Sequence, residues 1–375
     1  MKFKYYDRVL FFTALVLLGA GVVMVYSTSS YYAEIKFGDS SYFLKRQAVF
    51  AMAGLLAMSF MMVIDYHWWR RLVYPILGTI FVLLILVFVP GVGRKAGGAI
   101  RWIDLGIFWL QPSELAKLAL VIYLAHSLIK KRDKLGDFAK GFLPHMVIVG
   151  LMGCLVIIQP DFGTAMTIGA IAVAILCVCG VRLAHIGITV ALILPLVVIA
   201  MFGAEYRRRR LLAFLDPWGN MDSGGFQIIQ SFIAMGNGGI YGVGLGEGKQ
   251  KLFYLPLAHT DFILSVVGEE IGLIGVCALI GAFLLLIARG LRASLRAPDD
   301  YGGYLAIGIT LMIAIQAILN MAVVVGLLPT KGLPLPFLSY GGTSLVVTMS
   351  AVGILLNITA YGSDESSSFW RGYPK

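Results

Sequence analysis

Ten apolar runs, each about 20 residues long, divide this chain and leave it few ways to fold. Inside a bilayer no water satisfies the backbone, so a spanning segment is a helix or a strand of a closed barrel. Barrel strands alternate apolar and polar residues, whereas these runs are apolar throughout. They cover 9–27, 46–64, 72–90, 113–129, 143–159, 162–180, 184–203, 262–288, 303–326 and 343–360. Only 13% of the residues are charged, against about 25% in soluble domains. The mean hydropathy of +0.86 agrees. The expected fold class is an all-α polytopic membrane protein of about ten transmembrane helices, forming one integral-membrane domain over 1–375. A long outer loop, 205–261, separates helices seven and eight, and 361–375 forms a short cytoplasmic tail.

The N-terminus puts basic residues before an apolar run, as a signal peptide does. The run is long enough to span and no A-x-A site follows, so it reads as an uncleaved first helix. Cys154, Cys177, Cys179 and Cys277 all fall in apolar runs with no disulfide or zinc spacing. The net charge of +10 is scattered through loops; it speaks against nucleic acid, and part of it suits anionic membrane lipid.

With the N-terminus inside, the inner segments carry more than twice as many Lys and Arg as the short outer loops. The positive-inside rule then places both termini in the cytoplasm. The outer face carries the elaborate loops: 91–114, the QPD turn at 159–161, 205–261 and 327–344. Pro160 and Asp161 alone separate the fifth and sixth spans, so Asp161 reads as a residue of a tight hairpin with little room for a substrate.

Where the long loop ends and helix eight begins stands Asp261, preceded by His259 and Thr260. Two readings remain open: a helix cap, for which Thr and Asp are favoured, and a carboxylate doing proton chemistry at the membrane boundary. Upstream, YRRRRLLAFLDPW places Arg207, Arg208, Arg209 and Arg210 among apolar residues. That pattern suits lipid phosphate or pyrophosphate, or equally an interfacial anchor. GFQIIQSFIAMG reads as a short helix on or in the membrane surface. GNGGIYGVGLGEGKQ fails the nucleotide-binding P-loop, because Val243 and Gln250 stand where Gly and Ser or Thr are needed. It reads as a flexible or tightly turned loop. Within the spans, Glu114 and Lys117 share a helical face and can pair. With Glu269, Gln316 and Asn320 they either fix helix packing or line a polar cavity opening outward.

Taken together, RWIDLGIFWLQPSELAK, QPDFGTA, YRRRRLLAFLDPW, GFQIIQS, YLPLAHTDFI, GEEIGLIG and GLLPTKGLPLPFLSYGG resemble the SEDS (shape, elongation, division and sporulation) family over nearly the whole chain. Lys331 in PTKGLPLP is similar to the division-type members. The resemblance implies a bacterial inner-membrane enzyme with an extracytoplasmic active face. It would polymerise lipid II into a growing glycan strand, alongside a class B penicillin-binding protein and other divisome membrane proteins. It implies that Asp261 is the catalytic carboxylate and a ligand of a divalent cation, Mg²⁺ or Mn²⁺. The substrate-binding residues it suggests are Arg207, Arg208, Arg209, Arg210, Trp102, Glu114, Lys117, His259, Thr260, Lys331 and Ser339. Many relatives carry Glu where this chain has Leu257, so a role for that second acid does not carry over. The rival readings are a flippase for a lipid-linked sugar and a scaffold that only recruits the transpeptidase.

Overall fold

A computed structural model describes residues 6–362 except 97–98, 107, 204, 222–223, 253 and 257. Leu257 and the tail beyond 362 lie outside the described residues. The helices are α1 (Arg8–Phe37), α2 (Tyr42–Val63), α3 (His67–Arg71), α4 (Val73–Leu86), α5 (Pro112–Lys130), α6 (Leu143–Ile158), α7 (Phe162–Val178), α8 (Leu183–Phe202), α9 (Glu205–Leu215), α10 (Gly225–Gly238), α11 (Ile263–Leu295), α12 (Asp300–Val324) and α13 (Gly342–Tyr361). Each of the ten apolar runs falls on a helix. Among the described residues seven helices are long and apolar enough to cross a membrane by themselves, and the helical stretches in 73–86, 162–178 and 183–195 are shorter. The chain is a multi-pass membrane protein.

Local chemistry sets the ends. The Asp7 carboxylate accepts from Leu10 N–H at 3.1 Å to start α1, and Gly38, in the left-handed region at φ 68°, stops it. Asp299 caps α12 through Gly302 N–H. The helices sort by burial. α5, α12 and α13 bury most of their residues and form the interior, while α2 and α11 expose apolar faces. Side chains such as Leu56, Phe60 and Leu284 are more than half exposed, as lipid-facing residues are.

One departure from an all-helical chain is a small antiparallel sheet in the 91–114 loop: β1 (Gly93–Ala96), β2 (Ala99–Asp104) and β3 (Trp109–Leu110), in that order. Arg94 faces Trp102, and Ile103 faces Leu110 across the ladders. Ala99 and Ile103 bury one face of β2.

A second departure lies inside α11. The helix is broken at Gly272, with φ 72° and ψ −167°, about 14 Å along from Ile263 at 1.5 Å per residue. Broken backbone at that depth persists only where protein supplies hydrogen bonds. Here the glycine-rich loop supplies them. Val243 and Gly244 N–H donate to the Glu269 and Glu270 carbonyls at 2.9 and 3.0 Å, and Leu273 N–H donates to the Gly239 carbonyl at 2.9 Å. A Cβ at Gly242 would stand 2.2 Å from the Glu270 carbonyl. The Glu269 carboxylate accepts from the N–H groups of Lys249 at 2.9 Å and Gln250 at 3.2 Å. Glu270 pairs with Lys251 at 2.7 Å and accepts from the Ser27 hydroxyl of α1. Of the two sequence readings, the tightly turned loop holds, and Glu269 fixes packing. We expect Gly272→Ala to cost about 1–3 kcal/mol from backbone strain alone. Denaturant unfolding in detergent measures this, and an unchanged midpoint would contradict the strained conformation.

Candidate active site

Asp261 ends the loop that docks on α11 and precedes that helix. Three hydrogen bonds hold its backbone neighbourhood. Asn320 of α12 donates from Nδ2 to the Asp261 carbonyl at 2.9 Å and to the Leu333 carbonyl at 2.6 Å. Tyr340 N–H donates to the His259 carbonyl at 2.9 Å. The loop bearing Asp261 is thus tied on both sides to the PTKGLPLPFLSYGG loop. The Asp261 side chain is half-buried, hydrogen-bonds Thr260, and has Arg210, Arg101 and Asp161 as its charged neighbours. Burial pushes its carboxyl up to about 6, and Arg210 and Arg101 partly offset the rise. A Cβ on Gly332 would come 3.3 Å from Asp261 Oδ2, so glycine keeps that oxygen uncovered.

Basic groups converge from three elements. Arg210 of α9 donates from Nη1 to the Thr330 carbonyl at 3.1 Å. Arg207, one turn earlier on the same face, places its guanidinium 5.6 Å from the Phe162 ring centre. Lys331 Nζ lies 5.8 Å from the same ring. Burial holds the Lys331 ammonium below the ordinary lysine range. Arg101 of β2 reaches Asp161, with Nε 3.8 Å from Oδ2. The cluster is a carboxylate with a raised pKa beside several cations, which can accept a proton and stabilise a leaving polyanion.

The family model for cell cycle proteins of the FtsW, RodA and SpoVE type matches residues 7–364. The chain belongs to the FtsW–RodA–SpoVE family. It is 54% identical over 354 residues to a probable peptidoglycan glycosyltransferase FtsW of Geobacter metallireducens, covering 94% of each chain. It is 43% identical over 355 residues to stage V sporulation protein E of Bacillus subtilis, covering 95% and 97% of the two chains. Among solved structures, one in a peptidoglycan synthase complex that coordinates polymerization and crosslinking shares 30% identity with a TM-score of 0.80, covering 96% of this chain and 99% of the other. RodA of Thermus thermophilus shares 26% identity with a TM-score of 0.68, covering 96% and 98%.

In this FtsW–RodA–SpoVE member the structure sorts the sequence candidates. Thr260, Asp261, Arg207, Arg210 and Lys331 come together. Arg208 and Arg209 lie on the opposite side of α9; both are exposed, and Arg209 pairs with Glu205. Trp102 is half-buried next to Arg101 on β2, where alternating side chains point to opposite faces. His259 is not beside the carboxylate. It packs among Tyr32, Phe43 and Tyr340, and burial pushes its imidazole down to about 4. Ser339 accepts from Leu335 N–H at 2.8 Å and shapes its own loop. Glu114 and Lys117 form a buried pair at 2.7 Å on α5.

Three residues escaped sequence reasoning. Arg101 had a signal, a cation beside Trp102 in the 91–114 loop, but nothing placed it near Asp261. Asp161 reads from the sequence as a hairpin residue with little room for a substrate. It does cap α7, accepting from Thr164 N–H at 3.2 Å, yet its other oxygen faces Arg101 inside the cluster. Asn320 stays open in the sequence between packing and a polar cavity, because only the fold shows which carbonyls it reaches.

Proposed function

We propose that this chain is a peptidoglycan glycosyltransferase that polymerises lipid II at the outer face of the bacterial inner membrane, in cell division. The observation that carries the reading is Asp261, a half-buried carboxylate with a raised pKa beside Arg101 and Arg210, at the mouth of a membrane bundle, with Lys331 on the loop that approaches its Oδ2 through Gly332. The acceptor sugar hydroxyl attacks the anomeric carbon of the donor, whose bond to the lipid pyrophosphate breaks. One displacement inverts the configuration. Asp261 takes the hydroxyl proton. Arg210, Arg101 and Lys331 stabilise the departing pyrophosphate, with Arg207 at the edge.

A divalent ion, Mg²⁺ or Mn²⁺, fits this donor set. Asp261 offers a hard oxygen left uncovered by Gly332, and among the described residues no cage of three or more His, Cys, Asp or Glu competes for it. Mg²⁺ is commonly held by one or two carboxylates plus substrate phosphate. When bound, the ion would neutralise charge on the leaving pyrophosphate.

The working partner in this reading is a class B penicillin-binding protein, with other divisome proteins around it. Its support is the similarity to a chain in a complex that joins polymerization to crosslinking. The break at Gly272 is what a transporter would show near its site. Here the acids beside the break are occupied by loop contacts, and the cluster of cations lies at Asp261 instead. Purified protein given lipid II, with and without the penicillin-binding protein, should form glycan chains; passage of lipid II across vesicles without polymer would support the flippase.

Two expectations follow from the arrangement. Arg210→Ala should lower polymerisation at least about tenfold, since charge-assisted contacts to phosphate are worth about 1.5–3 kcal/mol, while exposed Arg208→Ala should change it less than about twofold. Equal losses would show that the α9 face does not matter. For topology, a cysteine at Asn220, in a background lacking Cys154, Cys177, Cys179 and Cys277, should react with an impermeant thiol reagent from outside. Reaction only after the inner membrane is broken would reverse the proposed orientation.

A further inference from the structure

At the opposite end of α11 from Asp261, Arg289, Arg292 and Arg296 follow at spacings of three and four, so they share a helical face. With Asp7 and Thr359 they line a pocket of about 160 Å³ between α1, α11 and α13. A single water needs only about 10–15 Å³. The pocket's one carboxylate is already committed. Asp7 Oδ2 accepts from Arg289 at 2.6 Å and Oδ1 caps α1. The acids just beyond the helix are engaged as well: Asp299 with the Tyr66 hydroxyl and the α12 cap, and Asp300 with Arg132 at 2.8 Å. Arg292 and Arg296 are exposed, and among the described residues neither has a carboxylate partner. Among the described residues, the pocket therefore keeps two guanidinium groups without a carboxylate partner.

The surroundings say what kind of anion fits. Leu291 and Leu295, each adjacent to one of these arginines, are 40% and 50% exposed. They continue the apolar, lipid-facing surface of α11 up to the arginine heads. An anion with an acyl tail satisfies both halves of this surface; a free anion satisfies only one. Guanidinium groups bind phosphate oxygens in pairs, and basic pockets between membrane helices suit anionic headgroups. The carbonyl end of α11 works against anion binding, and the N-terminal end of α1 beside it works for it. The two helix ends roughly cancel, which leaves the arginines to decide.

We propose that this pocket binds the headgroup phosphate of an anionic phospholipid in the leaflet opposite to the Asp261 site, through Arg292 and Arg296, with the acyl chains along Leu291 and Leu295. The proposal does not depend on the glycosyltransferase reading.

The test uses the full chain in a neutral detergent. Phosphatidylglycerol, phosphatidylcholine and inorganic phosphate are titrated separately, read by thermal melting and by retained lipid in native mass spectrometry. Phosphatidylglycerol should raise the melting temperature and remain bound, and phosphatidylcholine should do neither. Arg292→Gln with Arg296→Gln should weaken phosphatidylglycerol binding about tenfold or more. Both side chains are exposed, so the fold should survive; Arg292→Glu alone gives a second reading and should abolish the shift. Unchanged binding in either variant would overturn the proposal. So would an equal shift with phosphatidylcholine, which would mark a general lipid surface, or with inorganic phosphate, which would mark a site for free anions.

Discussion

Asp261→Asn should polymerise lipid II at least about a hundredfold more slowly than the parent protein, and should melt no lower. Removing a general base costs about 10²- to 10⁴-fold in rate. Asn keeps the size, and it caps helices about as well as Asp, so a structural role would survive. The contacts that hold this position are made by backbone: the Asp261 carbonyl to Asn320 and the His259 carbonyl to Tyr340. The substitution leaves them in place. Stability should if anything rise. Burial raises the carboxyl to about 6, so between its ordinary value and 6 the folded state holds a proton that the unfolded state has lost. Stability from this group then declines as pH rises through that window, and Asn removes the loss. The same shift sets the pH profile of the parent. The base form is lost as pH falls through about 6, so the acid limb of the rate should have its midpoint there and not near 4. Near-normal polymerisation by the Asn variant, or an acid limb unchanged from an ordinary carboxylate, would end the assignment of Asp261 as base.

Lys117→Ala should cost about 3–5 kcal/mol of stability, and Glu114→Ala a comparable amount, while the double substitution costs less than either. The pair is 2.7 Å apart with side chains only 1% and 3% exposed. Each single change strands a charge inside the bundle, and the double change removes both. Denaturant unfolding of the three variants in one detergent gives the comparison. Additive losses would mean that the two groups do not depend on one another.

Much of this protein was legible before any fold was known, and for a definite reason. A bilayer leaves an apolar run one way to satisfy its backbone, so every span from α1 to α13 is written in local composition. Glu114 and Lys117 were readable as a pair because three residues on a helix mean one face. Asp261 was readable because a polar loop meets an apolar helix there. The small sheet was missed because its strands are short, glycine-broken and only weakly alternating. The break at Gly272 was missed because apolar runs hide a change of backbone when another segment, here 239–244, satisfies the freed groups.

The sequence by itself determined the membrane architecture, the pairing within α5 and the carboxylate at the head of α11, since each depends on neighbours within a turn or two of helix. Only the tertiary structure decided the company that carboxylate keeps. Arg101, Asp161, Arg210, Asn320 and Lys331 come from elements up to 230 residues apart along the chain. It also decided that His259 turns into an aromatic cage while Asp261, two residues on, faces the cations. Contacts of this range are set by how helices pack, and no periodicity in a single chain records them.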